Sequence, residues 1–146
     1  MTTIDTVAFL GGVRVFGRPL VSESDLAAEI ARGFPPAALD TVLDTLRSDL
    51  ISLTSIYEVV GDAQTLQRKL QQHAQLSSEE SERLARLARV AVRTAEALGS
   101  TEKGTRSLAK ANRALDGRRP LDMLATEDGA RLVADVLGRI EHGVMA

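Results

Sequence analysis

The chain has 146 residues, 44% of them hydrophobic and 26% charged, with 18 basic residues against 20 acidic and a net charge of -2. This balance suits a globular domain with a real core and excludes a uniformly basic coat for nucleic acid. With no cysteine and no apolar run long enough for a bilayer, it excludes disulfides, thiolate metal sites, cysteine nucleophiles and a membrane span, and a cytoplasmic setting is expected.

Aromatic residues are 3% of the chain and Trp is absent. The core must then be built from Leu, Val, Ile and Ala, which predicts an all-α protein rather than a β-sandwich. Residues 1–21 form an N-terminal arm with two apolar runs, Val7–Leu10 and Val13–Phe16, split by Gly11-Gly12. Their periodicity fits either a short hairpin or a loose helical turn. Ser22 and Ser24 offer N-caps for a helix from about Asp25 to Arg32, and Gly33 stops it. Pro35-Pro36 pre-sets the next helix, in which Leu39, Val42, Leu43 and Leu46 fall on one face.

A short helix follows Ser52, with Ile56, Val59 and Val60 inward and Gly61 at its end. Asp62 caps a further helix that reaches Leu70 or Gln72. Ser77 with Glu80 is a capping box opening a long helix to Leu98, whose stripe is Leu84, Leu87, Ala88, Ala91, Ala95 and Leu98. Glu79–Arg83 and Glu82–Arg86 are spaced for pairs one turn apart. Ser100 or Thr101 caps a shorter helix to about Ala111, whose Gly104 is expected to loosen it. Asn112–Pro120 reads as a loop in which Asn112 and Gly117 accept positive φ. A proline turn and a final helix follow, with Thr126-Glu127-Asp128 at its start, Val133, Val136, Leu137 and Ile140 inward, and Gly143 at its end.

Catalytic chemistry is not in evidence. The two histidines, His73 and His142, lie in no glycine-bounded serine motif, and a triad would need one of them. No ligand spacing suits a metal, and Gly11-Gly12 with Gly17 lacks the Lys-Ser/Thr ending of a phosphate loop. The expectation is a binding protein, not an enzyme, with no cofactor.

Two features suggest binding. The helices around Gly61 have helix-turn-helix proportions, in which the second helix enters the major groove. Its outward candidates are Gln64, Thr65, Arg68 and Lys69, residue types that pair with adenine, guanine or phosphate. Against this, Met1–Leu76 holds six basic and nine acidic residues, so three packed helices without a DNA role are the alternative. The second feature is Arg86, Arg89 and Arg93 on one face of the long helix, either a solvated face partly paired with Glu82 and Glu96 or a binding patch.

The block Asn112…Leu115…Gly117…Pro120-Leu121…Leu124…Thr126…Gly129, then Leu137-Gly138-Arg139-Ile140…Gly143-Val144, closely resembles the toxin-binding domain of Xre/MbcA/ParS-type antitoxins. The resemblance extends upstream. Leu76-Ser-Ser-Glu-Glu-Ser-Glu-Arg-Leu-Ala-Arg-Leu-Ala-Arg is similar to the family's long central helix. Phe9-Leu-Gly-Gly, Gly17-Arg18 and Ala31-Arg-Gly-Phe-Pro35 are similar to its N-terminal region. The resemblance implies an Xre-like helix-turn-helix bundle over 22–76 and a toxin-binding domain over 77–146. It also implies a homodimer that further assembles with its toxin and binds operator DNA. The implied partner is a RES-domain toxin that consumes NAD or transfers ADP-ribose from it, and the antitoxin occludes that active site. The turn departs from the family pattern: Asp62-Ala63 replaces an apolar residue and a basic start, and the turn is about one residue shorter.

An NAD-cleaving pocket is expected to present cations to a pyrophosphate, and carboxylates occupy the same donors. The expected toxin-binding residues are therefore Arg131, Asp135, Arg139, Glu141, His142, Val144, Met145 and Ala146, the last with its terminal carboxylate. The last helix and tail either plug the toxin's NAD entrance or form a lid on the chain's own bundle. A stand-alone helix-turn-helix regulator with a C-terminal dimerisation domain is the rival function.

Overall fold

The computed structural model describes residues 3–141; the side chains of 140 and 141 lie outside that description. Among the described residues the protein is all-α, with no named strand. Nine α-helices follow in order among these residues: α1 Thr3–Phe9, α2 Val13–Phe16, α3 Glu23–Arg32, α4 Pro36–Leu46, α5 Leu53–Val60, α6 Ala63–Gln72, α7 Ser78–Leu98, α8 Thr101–Ala109 and α9 Glu127–Glu141. Two 3-10 turns, Arg113–Leu115 and Pro120–Met123, lie between α8 and α9. None of the described helices is long and apolar enough to cross a membrane.

In its described part the N-terminal arm holds two short helices, α1 and α2, rather than a hairpin. Two glycines join its halves, and the left-handed Gly17 stops α2. Phe16 then meets Phe34 edge to face, with ring centroids 5.3 Å apart, anchoring the arm to the start of α4.

Capping sets the other boundaries. Ser22 and Asp25 form a capping box, so α3 begins two residues before the position expected from the sequence. Ser52, Asp62, Ser77 and Ser100 each accept a hydrogen bond from the N–H three residues on. Gly117 takes the positive φ expected of it, whereas the one expected at Asn112 falls instead on Asp116, at +57°. Asn112 is extended and its side chain accepts from Ala114 N–H, starting the first 3-10 turn.

Helix α7 is the axis of the molecule, packing against α1, α3, α5, α8 and α9. One apolar cluster runs from Val7 to Leu137, with Leu84, Leu87 and Ala88 of α7 fully enclosed at its centre. Ser81, also fully enclosed, accepts from Phe34 N–H at 2.7 Å and donates to Ser77 O at 2.7 Å, fastening α7 to the α3–α4 connection. Among the described residues no buried side-chain polar atom lacks a partner.

The structure corrects the expectation for Gly104. A Cβ there would stand 2.9 Å from both Cα and N of Ala95. The glycine lets α8 lie directly on the α7 backbone, so it tightens the contact rather than loosening the helix.

Candidate functional site

The helix-turn-helix is built on Leu66, which is fully buried beneath α6, and on Ile56, Val59 and Val60 of α5. Asp62 sets the start of α6. Its Oδ2 accepts from Thr65 N–H and from Thr65 Oγ1, both at 2.9 Å. The backbone hydrogen bond from Thr65, with the hydroxyl bond beside it, holds the Asp62 carboxyl below its usual range. A carboxylate therefore stays charged at the very end of α6 that would approach a nucleic-acid backbone.

The four candidates on α6 are not equivalent. Gln64 and Arg68 are exposed and stand one turn apart on one face. Thr65 is half-buried and occupied by Asp62. Lys69 turns inward: its Nζ lies 2.6 Å from Glu80 Oε1, with the lysine side chain 20% exposed and the glutamate 10%. Glu80 also accepts from Ser77 N–H at 2.8 Å, closing the capping box of α7. Burial raises the Glu80 pKa, but the Lys69 and Ser77 hydrogen bonds and the lysine charge outweigh it, and the group titrates below its ordinary value.

The C-terminal block is tied to the helix-turn-helix by Arg119. Its guanidinium makes a two-point contact with Asp122, at 2.9 and 2.7 Å, and reaches Ser55 Oγ of α5 at 3.3 Å. That hydrogen bond from Arg119 holds Asp122 below its usual range. Helix α9 then starts on Thr126, whose hydroxyl accepts from Gly129 N–H at 3.0 Å. A Cβ on Gly129 would fall 2.0 Å from Met123 O, so only glycine lets α9 dock against the second 3-10 turn.

Docked in this way, α9 buries Val133, Val136 and Leu137. Arg131, Asp135 and Arg139 follow at successive turns on its exposed side, together with Leu132, a large apolar side chain 49% exposed. Arg131 pairs with Asp128 at 3.1 Å, a solvent-exposed contact. The structure thus brings three of the expected partner-facing residues into one line. The backbone of Glu141 is helical, its side chain is outside the described residues, and so are His142, Gly143, Val144, Met145 and Ala146.

The arginine stripe of α7 gains a second wall that its spacing did not reveal. Arg86, Arg89 and Arg93 face Glu127 and Arg131 of α9 across a groove of about 330 Å³ floored by Val90, Ala130, Ala134 and Leu137. Arg83 and Arg86 do not follow the expected turn-to-turn pairing. Arg83 donates to Val60 O at 3.5 Å, and Arg86 to the carbonyls of Leu124 and Ala125 at 3.4 and 3.3 Å, with Glu127 3.9 Å away. Arg89 reaches Glu23 of α3 at 3.2 Å.

Residues 25–89 match the antitoxin Xre-like helix-turn-helix domain, and residues 94–143 match the antitoxin Xre/MbcA/ParS C-terminal toxin-binding domain. The two domains occur in that order and between them take in most of the chain. The chain belongs to the Xre-type antitoxin family. Two curated relatives carry the name Antitoxin Xre. The one from Yersinia enterocolitica is 28% identical over 137 residues, covering 91% of this chain and 89% of the relative. The one from Photorhabdus laumondii is 27% identical over the same length and the same shares. In this Xre-type chain the first match spans α3 through the arginines at 86 and 89, and the second spans α8, the two 3-10 turns and α9.

Proposed function

We propose that this chain is the antitoxin of a type II toxin–antitoxin pair, a binding protein with no reaction of its own. Its partner is a RES-domain toxin that consumes NAD or transfers ADP-ribose. The observation that carries this reading is the match of residues 94–143 to an antitoxin toxin-binding domain. Its last helix, α9, is held from behind by Val133, Val136 and Leu137 and leaves Arg131, Leu132, Asp135 and Arg139 exposed for a partner.

In this reading α9 delivers the tail to the toxin's NAD entrance. Glu141 supplies a carboxylate to the cations that would hold a pyrophosphate, His142 adds a polar contact, and Val144, Met145 and Ala146 fill the apolar part of the cleft. Arg131, Asp135 and Arg139 fix the register. Removing residues 143–146 and measuring NAD consumption by the toxin tests this. Inhibition should fall by at least about tenfold; a shortened chain that inhibits as well as the full one rules out the plug.

The same chain is proposed to act on its operator through α6, as a homodimer that presents two recognition helices. Gln64 and Arg68 read the groove, while Thr65 and Lys69 shape the helix that carries them. The match of residues 25–89 to a helix-turn-helix domain also favours a second reading, a stand-alone regulator. Tight operator binding by a chain that has no toxin partner would favour it.

A further inference from the structure

We propose that the groove between α7 and α9, which shares Arg131 with the outer side of α9, is a docking site for an acidic, amphipathic helix of a protein partner. The inference rests on the antitoxin reading for the identity of that partner, and on this chain's own geometry for the chemistry.

Arg86, Arg89 and Arg93 occupy successive positions along one face of α7, spanning about 10 Å, or two helical turns. Arg131 adds a fourth guanidinium from α9. Beneath them the floor is aliphatic: Val90, Ala130, Ala134 and Leu137. The guanidinium groups of Arg89, Arg93 and Arg131 above an apolar strip complement a helix that carries carboxylates along one edge and aliphatic side chains along the next.

Three observations favour a peptide over a nucleic-acid backbone. First, the groove already holds carboxylates on its guanidinium groups: Glu127 lies 3.9 Å from Arg86, Glu23 lies 3.2 Å from Arg89 and Asp128 lies 3.1 Å from Arg131. Second, the Arg89–Glu23 and Arg131–Asp128 pairs are solvent-exposed, 41% and 68% on one and 68% and 90% on the other, so an incoming carboxylate exchanges with them at little cost. Third, the floor of Val90, Ala130, Ala134 and Leu137 is apolar, and a continuous string of phosphates has no apolar group to set on it, whereas an amphipathic helix does. Arg86 is 16% exposed and bound to the Leu124 and Ala125 carbonyls, so it is a fixed part of the wall rather than an exchangeable contact.

The test uses the full chain and a fluorescent helical peptide with glutamates at positions i, i+3 and i+7 beside leucines. Lysine-for-glutamate and serine-for-leucine versions are the peptide controls, and a duplex DNA of similar length is the competitor. The acidic peptide should bind, weaken about tenfold between about 50 and about 300 mM salt, and lose at least about tenfold in affinity in the Arg89→Gln/Arg93→Gln chain. The serine version should bind more weakly and the lysine version not at all. The milder Arg89→Gln variant alone should show an intermediate loss with an unchanged melting temperature. No binding, binding indifferent to both variants, or displacement by DNA with the same arginine dependence would each overturn the proposal. No toxin enters this readout. A failed peptide result beside intact toxin inhibition removes the groove alone, whereas absent toxin inhibition removes the antitoxin reading.

Discussion

Lys69 on α6 and Glu80 on α7 meet at 2.6 Å, and the same Glu80 oxygen closes the capping box with Ser77. One carboxylate therefore both starts the central helix and holds the recognition helix against it. The lysine is better understood as the bolt that fixes α6 than as a group that reads DNA.

This pair makes stability depend on pH in a defined direction. Glu80 titrates below its ordinary 4.5 in the folded protein, so its contribution is complete above that value and is lost as the pH falls through the lower folded value. Glu80→Gln should cost about 2 kcal/mol at neutral pH. The gap in melting temperature between the variant and the parent should narrow as acid protonates the parent's carboxylate. A gap that stays constant down to the acid limit would show that the charge on Glu80 is irrelevant.

Gly104 gives a prediction whose sign is informative. Helix propensity alone says that Ala at this position should stabilise α8 by about 1 kcal/mol. The 2.9 Å approach of its missing Cβ to the Ala95 backbone says the opposite. Gly104→Ala should destabilise by about 1–3 kcal/mol, read as a shift of the denaturant midpoint at unchanged slope.

Operator contact should separate the residues of α6. Arg68→Ala should weaken duplex binding and lower the salt slope by about one, leaving the melting temperature intact. Lys69→Ala should lower the melting temperature, because it strands the buried Glu80 without its cation. Gel shifts and melts on the same two variants check this. Equal effects of both on affinity alone would return Lys69 to the reading face.

Leu132 tests the outer face of α9. At 49% exposure it adds little to the chain's own core, so Leu132→Ser should change the melting temperature by less than a degree or two. It should weaken association with the toxin by about tenfold. Calorimetric titration of the two partners gives both the affinity and the stoichiometry.

Most helices were legible in the sequence because their signals are local. Ser77 with Glu80, Asp62 before α6 and Gly33 after α3 act within a single turn, and hydrogen bonds of that span leave a fixed spacing. The first twenty residues were not legible: two four-residue apolar runs suit a strand or a turn of helix equally well, and Phe16 meeting Phe34 decides between them. Tertiary pairings left no spacing at all. Arg86 chose carbonyls some forty positions away over Glu82 one turn behind it, and Lys69 chose Glu80 across a helix break. Gly104 misled for the same reason, since its cause lies in the backbone of the preceding helix. On α9, the exposed line of Arg131, Asp135 and Arg139 follows from the four-residue repeat, whereas the groove it shares with α7 required the packing.

The most direct measurement is a titration of the purified chain into the RES-domain toxin proposed as its partner, with NAD consumption followed in real time. Turnover should fall to background as the chain approaches a fixed molar ratio to the enzyme, and the two should elute together from a sizing column. Unchanged turnover and separate elution with the chain in excess would contradict the antitoxin reading.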